Sequence, residues 1–149
     1  MGVGATELKT MKTKDEVNRE YTEAIAPARE KYATDSRTVE DAYNAELVAI
    51  KERFQDKLFE AAGKTVAAED NFGRARKTER PESREVVNSM YALDDAEDAA
   101  TAIKDEMRRE VSEAEARRQK ALAPIKAEYG RATKDAQRRR WEGLSHAKA

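Results

Sequence analysis

The chain has 149 residues, of which 40% are charged, yet its formal net charge at neutral pH is only −1. Leu, Ile, Val and Phe together make up only about one residue in seven, too few for a thick globular core, and the absence of cysteine excludes disulfides and thiolate metal sites. No stretch has the roughly 20 apolar residues of a membrane-spanning helix, and the N-terminus lacks the apolar core of a signal peptide. We therefore expect a soluble intracellular protein, cytoplasmic by default or within a large assembly.

The first twelve residues do not share the pattern of the chain that follows. We predict that residues 1–12 form a disordered or flexible N-terminus. Met11 is an alternative start to Met1, and the sequence does not decide between them. Residues 1–6, Met-Gly-Val-Gly-Ala-Thr, fit the N-myristoylation pattern, which is short and matches often by chance.

Residues 13–72 are predicted to form the first long helix, because they contain an 11-residue repeat. One column of this repeat is aromatic throughout and consists of Tyr21, Tyr32, Tyr43 and Phe54. The inward-facing positions follow each other in steps of 4, 4 and 3, so that eleven residues make three turns at about 3.67 residues per turn. Such a repeat predicts nearly straight helices or a slight right-handed supercoil.

Residues 73–82 are predicted to connect the two helices. Gly63 is an earlier candidate for the C-terminal stop of the first helix. Phe72, however, keeps the repeat in register and favours a helix that continues to Gly73. Pro81 lies where the first turn of the next helix is expected to begin.

Residues 83–144 are predicted to form the second long helix, followed by a frayed end at residues 145–149. The same spacing recurs from Ala92 in another frame, with Arg118 and Arg140 as polar interruptions. We call the inward-facing residues of both helices the seam, because they are expected to pack between the helices. Its large members are Val17, Tyr21, Ile25, Tyr32, Val39, Tyr43, Leu47, Ile50, Phe54, Leu58, Ile103, Met107, Val111, Leu122, Ile125 and Tyr129.

The predicted fold is all-α, a long antiparallel helical hairpin that forms a coiled coil with 11-residue repeats. Pro27 and Pro124 end similar segments, and proline removes one helical hydrogen bond. We therefore expect each helix to be kinked or broken there, with the two sites at nearly the same height. Charge favours the antiparallel arrangement, because residues 86–115 carry three basic and nine acidic side chains, whereas residues 116–149 carry ten basic and three acidic ones. The basic end would lie beside the acidic start of the first helix.

The sequence offers no familiar catalytic or metal-binding arrangement. His146 is the only histidine, and Glu142 lies one turn before it without a second pair of ligands. A nucleophile with its base and orienting carboxylate cannot be assembled around this histidine. We predict no catalytic, cofactor-binding or metal-binding residues, no cofactor and no small-molecule substrate.

The strongest basic cluster lies near the end of the second helix. One interpretation is a phosphate-binding surface for nucleic acid, on which the indole of Trp141 is available for stacking. The favoured interpretation is a helix end whose cations complement the helix dipole and the acidic first helix, because the chain as a whole is not basic. The candidate partner or phosphate contacts are Arg131, Lys134, Arg138, Arg139, Arg140 and Trp141.

The sequence favours a non-enzymatic coiled-coil protein that acts through protein–protein contacts. Such a protein is structural or an adaptor, and a subunit of a larger particle is one form of this role. We expect a protein partner or self-association, since a thin seam buries little surface and helices gain most of their stability from packing. Phe59, Tyr91 and Trp141 are off the seam and are the expected partner contacts. The seam is narrower than the apolar face of lipid-surface helices, so no membrane partner is predicted. The alternative is a nucleic-acid-associated protein that uses the basic C-terminal helix.

Overall fold

The computed structural model describes residues 11–147, which form two long helices packed against each other as a helical hairpin. Helix α1 is Lys14–Thr78, helix α2 is Arg84–Ser145, and residues 79–83 connect them. The prediction of an all-helical hairpin is confirmed. The N-myristoylation pattern and most of the predicted flexible N-terminus lie outside the described residues.

Both helices begin at side chains that cap their free backbone N–H groups. The hydroxyl of Thr13 accepts a hydrogen bond from the N–H of Glu16 at 3.2 Å. The carboxylates of Asp15 and Glu16 place two negative charges in the first turn of α1. The hydroxyl of Ser83 accepts from the N–H of Val86 at 3.3 Å in the same way. These caps place the helix starts within one or two residues of the predicted ones.

Helix α1 ends later than the glycines suggest. It runs through Gly63 and Gly73 to Thr78, so the prediction of a stop at Gly63 is wrong. Glycine inside a helix costs about 1 kcal/mol relative to alanine, which packing against a second helix readily offsets. Pro81 lies in the connecting turn, before the Ser83 cap, and not in the first turn of α2.

Neither internal proline breaks its helix. Pro27 lies inside α1 and Pro124 inside α2, and both are exposed. The carbonyls that lose their hydrogen-bond donors, those of Glu23 and Lys120, therefore belong to exposed residues and can be hydrated. The alternative of a broken helix is wrong, and a bend at each proline stays a prediction.

The described part of the chain divides into two compact units, and the first combines residues 11–41 with residues 118–147. The two helical segments run antiparallel here, because Asn18 is bonded to Arg140 whereas Glu40 is bonded to Arg118. The buried residues of this unit are Val17, Ile25, Leu122 and Thr133.

The first unit also corrects the expected height of the prolines. The rings of Tyr32 and Tyr129 contact each other with their centroids 5.0 Å apart. Pro124 lies five residues before Tyr129. Because the two segments run antiparallel, Pro124 is level with the position on α1 that lies about five residues after Tyr32. Pro27 is about ten residues, or about 15 Å, from that level, so the two prolines do not share one height.

The second unit is residues 42–117, and it contains the main apolar cluster. Ile50, Phe54 and Ala114 are its buried centre, and Phe54 is only 1% exposed. The half-buried residues packed around this centre are Tyr43, Leu58, Ile103, Met107 and Val111.

Near the connector, the spacing of the shielded residues in the second unit differs from the predicted repeat. The shielded positions follow each other there in alternating steps of 3 and 4. Leu93 is half-buried and Ala92 is exposed, so the expected seam position is displaced by one residue. The buried or half-buried positions that follow these steps are Ala61, Thr65, Ala68, Phe72 and Ala75 on α1, and Val86, Ser89, Leu93, Ala96, Ala100 and Ile103 on α2. Gly73 and Val87, each next to one of these positions, are half-buried as well.

Candidate interaction surfaces

The large residues predicted for the seam are all buried or half-buried in the structure. In the first unit these are Val17, Tyr21, Ile25, Tyr32, Val39, Leu122, Ile125 and Tyr129; in the second they are Tyr43, Leu47, Ile50, Phe54, Leu58, Ile103, Met107 and Val111. They leave the outer faces of both helices as the surfaces on which another molecule can bind.

The two arginines that interrupt the seam both contact α1 within the first unit. The guanidinium of Arg118 donates from Nε to both carboxylate oxygens of Glu40, at 3.0 and 2.9 Å. The guanidinium of Arg140 lies 5.1 Å from the ring centroid of Tyr21 and donates to the amide oxygen of Asn18 at 3.1 Å. Arg140 was predicted as a phosphate or partner contact, and these contacts engage it within the unit.

A lysine and a carboxylate form an exposed ion pair between the helical segments of the first unit. The hydrogen bond and the charge of Glu128 raise the pKa of Lys31 above its ordinary value of 10.5. The same hydrogen bond and the lysine charge lower the pKa of Glu128 below its ordinary value of 4.5. Both side chains are therefore charged at neutral pH.

The other predicted basic contacts lie on the exposed side of α2. We define the C-terminal basic surface as Arg131, Lys134, Arg138, Arg139 and Trp141, all of which are exposed. The indole of Trp141 is 71% exposed. This surface combines cations with an accessible aromatic ring, so an acidic partner can bind it by charge and by stacking.

A cleft of about 460 Å³ in the first unit lies between the start of α1 and the end of α2. Its walls carry both signs of charge, since Arg139 lies on one side and Glu20 on another, and Lys12 is already paired with Glu20 at 2.6 Å. His146 lines the cleft as well. Across residues 11–147 no three His, Cys, Asp or Glu side chains are placed to hold a metal ion.

Exposed apolar side chains concentrate in the second unit. Val48, Phe59 and Val66 are separated by 11 and 7 residues, so they lie on one stripe of α1, which we call the α1 apolar stripe. Phe59 is 82% exposed and Val48 and Val66 are each 55% exposed. Of these three, the sequence singled out only Phe59; the 11-residue step from Val48 to Phe59 was the signal that could have found the stripe.

On α2 of the same unit, Met90 and Tyr91 are also exposed large apolar residues, at 39% and 58%. The carboxylates of Asp94, Asp95 and Asp98 follow along the next two turns, and all three are exposed. This surface is therefore acidic around an aromatic ring, the opposite of the C-terminal basic surface.

Comparisons with protein-family models, with curated proteins and with solved structures find no match to this chain. Neither of the described helices has an apolar stretch long enough to cross a membrane. The function must therefore be argued from the surfaces themselves.

Proposed function

We propose that this protein is a non-enzymatic structural or adaptor protein that acts through protein–protein contacts. The observation that carries the proposal is the α1 apolar stripe, since it exposes Val48, Phe59 and Val66 outside the contact between the helices. Single exposed apolar residues are ordinary on protein surfaces, but these three lie on one line about 27 Å long, so that one partner helix packed along this line would cover all of them. A phenyl ring at 82% exposure gains from burial against a partner.

The proposal includes a coiled-coil hairpin as the framework that holds these surfaces. In the first unit, one series of shielded positions on α1 has the 4-4-3 spacing of an 11-residue repeat, namely Val17, Tyr21, Ile25, Ala28, Tyr32, Ser36 and Val39. The polar residues Asn18, Asp35 and Glu40 beside this series are half-buried as well. Near the connector, the alternating steps of 3 and 4 have the average period of 3.5 that is typical of heptad coiled coils. Both spacings support a narrow seam and two outer faces that remain available.

A photoreactive residue placed at position 59 tests the proposal in the native source. We expect one cross-linked protein of defined mass, which disappears when Val48 and Val66 are both replaced by Glu. The matched control carries the same residue at Glu60, which is exposed at the same level but about 100° around the helix. Equal cross-linking from both positions, or no protein adduct at position 59, would overturn the proposal.

The second candidate is binding to nucleic acid through the C-terminal basic surface, and the exposure of its cations together with Trp141 favours it. If this candidate is right, the protein binds a single-stranded oligonucleotide at low salt, and its affinity falls as the salt concentration rises. Replacing Arg138 and Arg139 by Gln should then reduce binding, whereas replacing Arg74 and Arg76 by Gln should not. No binding at low salt eliminates this candidate.

A further inference from the structure

The α1 apolar stripe, which lies within the second unit, has an acidic side. At 100° per residue, Glu52 and Asp70 lie about 20–40° from the line of the stripe, and Asp56 lies about 60–80° from it in the same direction. All three are exposed, and we call them the acidic border. The other positions on this side between 45 and 70 are alanine or glycine, so no cation lies among the three carboxylates.

Among residues 11–147, no ion pair engages the acidic border. The ion pairs within the second unit involve other carboxylates, those of Glu46, Glu60, Asp105 and Glu110. Glu52 and Asp56 are four residues apart, a spacing at which like charges destabilise a helix. A cation brought by another molecule would relieve this repulsion.

On its other side, the α1 apolar stripe adjoins a groove between the two helical segments of the second unit. We call it the apolar groove; its volume is about 520 Å³, and it is lined by Leu58, Ala61, Ala62, Thr65, Val66 and Ala100. Three of these six residues are alanines, and such small side chains leave space between packed helices unfilled. The rim on α2 has one charge of each sign, Glu97 and Lys104. Val66 belongs to both the stripe and the groove, so the two surfaces are continuous.

The opposite side of the same two segments offers much less room. The groove there has a volume of about 150 Å³, and its α1 side carries Lys57, Glu60 and Lys64. Glu60 and Lys64 already pair with each other at 3.3 Å. Of these two grooves, only the one beside the stripe combines space with an apolar lining.

We propose that the α1 apolar stripe binds one basic amphipathic helix of a partner protein. This helix inserts a large apolar side chain into the apolar groove and directs lysines or arginines at the acidic border. The line from Val48 to Val66 is about 27 Å long, which corresponds to about five turns of the partner helix. A leucine or phenylalanine side chain gains free energy when the groove removes it from water. This inference rests on the proposed function, and it names the chemistry of the partner.

Charge distinguishes a basic helix from other occupants. The acidic border repels the phosphates of nucleic acid and of anionic lipids. An antiparallel contact between the stripes of two copies would place their acidic borders side by side, which is repulsive as well. A helix with cations along one flank is attracted over the whole length of the border, about 27 Å from Glu52 to Asp70.

Two synthetic peptides test the charge of the partner. Each has about 20 residues, with leucines in steps of three and four that form one apolar face; the lysine peptide has lysines beside this face, and the glutamate peptide has glutamates there. We expect the native chain to bind the lysine peptide at least about tenfold more tightly by fluorescence anisotropy. The difference should narrow as the salt concentration rises. Equal affinities, or no binding of the lysine peptide at about 100 µM of the chain, overturn the inference.

Neutral variants show whether the lysine peptide binds at the acidic border. The border variant carries Glu52→Gln, Asp56→Asn and Asp70→Asn. The matched control loses the same charge from exposed carboxylates on α2 of the same unit, through Asp94→Asn, Asp95→Asn and Asp98→Asn. We expect the border variant to bind at least about tenfold more weakly and the control to stay within about twofold of the native chain. Equal losses would mean attraction to net charge alone, which contradicts the site.

Filling the apolar groove tests the anchor. Ala62→Phe places a ring in this groove, and Ala99→Phe makes the same change at an exposed alanine that lines the smaller groove. We expect Ala62→Phe to weaken binding of the lysine peptide at least about tenfold and Ala99→Phe to leave it unchanged. Thermal melts followed by circular dichroism check that both variants fold. A folded Ala62→Phe protein that binds as tightly as the native chain overturns the inference.

These outcomes are separable from those of the cross-linking test of the proposed function. If position 59 cross-links to a protein while the lysine peptide does not bind, the proposed function stands and the chemistry of the partner is wrong. If the peptide passes both variant tests while position 59 yields no adduct, the chemistry of the site is supported and the proposed function is wrong. If the native chain forms dimers that Ala62→Phe disrupts, a second copy occupies the groove and the inference is overturned.

Discussion

Individual polar side chains between the helical segments set which residues face each other. The paired hydrogen bonds from Arg118 to Glu40 require the two groups to be at one level of the first unit. Partly exposed ion pairs contribute little net stability, about 0–1 kcal/mol, so their main effect is on alignment. A slip of one helical turn would separate both charges from their partners and expose the apolar seam beside them.

Glycine at position 143 is required by the close approach of another side chain. A Cβ added there would lie 2.9 Å from Cγ1 of Val17, a branched side chain that is only 5% exposed and has little freedom to turn away. At Gly63 an added Cβ meets nothing within 4 Å. We expect Gly63→Ala to raise the free energy of unfolding by about 1 kcal/mol. Gly143→Ala should lack this gain and lose about 1–2 kcal/mol through overpacking.

Urea denaturation measures both glycine variants under one condition. A Gly143→Ala protein as stabilised as Gly63→Ala would show that Val17 does not restrict position 143.

The ion pair between Lys31 and Glu128 predicts a pH dependence whose sign follows from the two pKa shifts. The lowered pKa of Glu128 means that its contribution is present above pH 4.5 and is lost as the pH falls through the lowered pKa. The raised pKa of Lys31 means that its contribution is present below pH 10.5 and is lost as the pH rises through the raised pKa. Between these limits the pair is fully charged.

We expect Glu128→Gln to be less stable than the native chain by a constant amount between about pH 5 and pH 9. The difference should vanish in acid, where the native carboxylate is protonated as well. Thermal melts followed by circular dichroism at several pH values measure it. Glu113→Gln is a control on another exposed carboxylate of α2, and a difference of the same size and shape for that variant would contradict the assignment.

At the level of the helices, the sequence predicted both starts and the end of α2 more closely than the end of α1. Thr13 and Ser83 supply caps only at the points where the helical pattern begins, so local chemistry locates both starts. The end of α1 at Thr78 was not predictable in this way. Two glycines lie inside α1 because contacts with α2 outweigh their local cost, and such contacts are not visible in a single segment.

The two internal prolines offer a direct test of how much each helix tolerates. Pro27 and Pro124 are exposed, so alanine at either position fits without repacking the seam. Alanine would restore one backbone hydrogen bond and remove the clash with the preceding turn. We expect Pro27→Ala and Pro124→Ala each to raise the melting temperature and to add up to about 3 kcal/mol to the free energy of unfolding.

Replacing Pro81 by alanine is the matched control for these variants, because this proline lies in the connecting turn. This substitution should leave the free energy of unfolding unchanged or slightly lower, since its only effect is to increase the conformational entropy of the unfolded chain. Destabilisation by either internal substitution would mean that the proline shape is needed for packing in the first unit.

Across the whole chain, the sequence identified the residues that face inward more completely than the surfaces that face outward. The 11-residue repeat marks one stripe per helix, and sixteen large residues of that stripe are shielded. The α1 apolar stripe was missed because Val48 and Val66 differ from buried valines only through what lies opposite them. The engagement of Arg140 by Tyr21 also depends on the other helical segment, which no local pattern of charges reports.

The small number of buried residues predicts an unusually small heat-capacity change on unfolding. A chain of this length would ordinarily show about 1.8–2.2 kcal/mol/K, and most of that value comes from apolar surface exposed on unfolding. Among residues 11–147 only eight apolar side chains are buried, and two of these are alanines. We therefore expect less than about 1.5 kcal/mol/K by scanning calorimetry. A heat-capacity change within the ordinary range would contradict the thin seam.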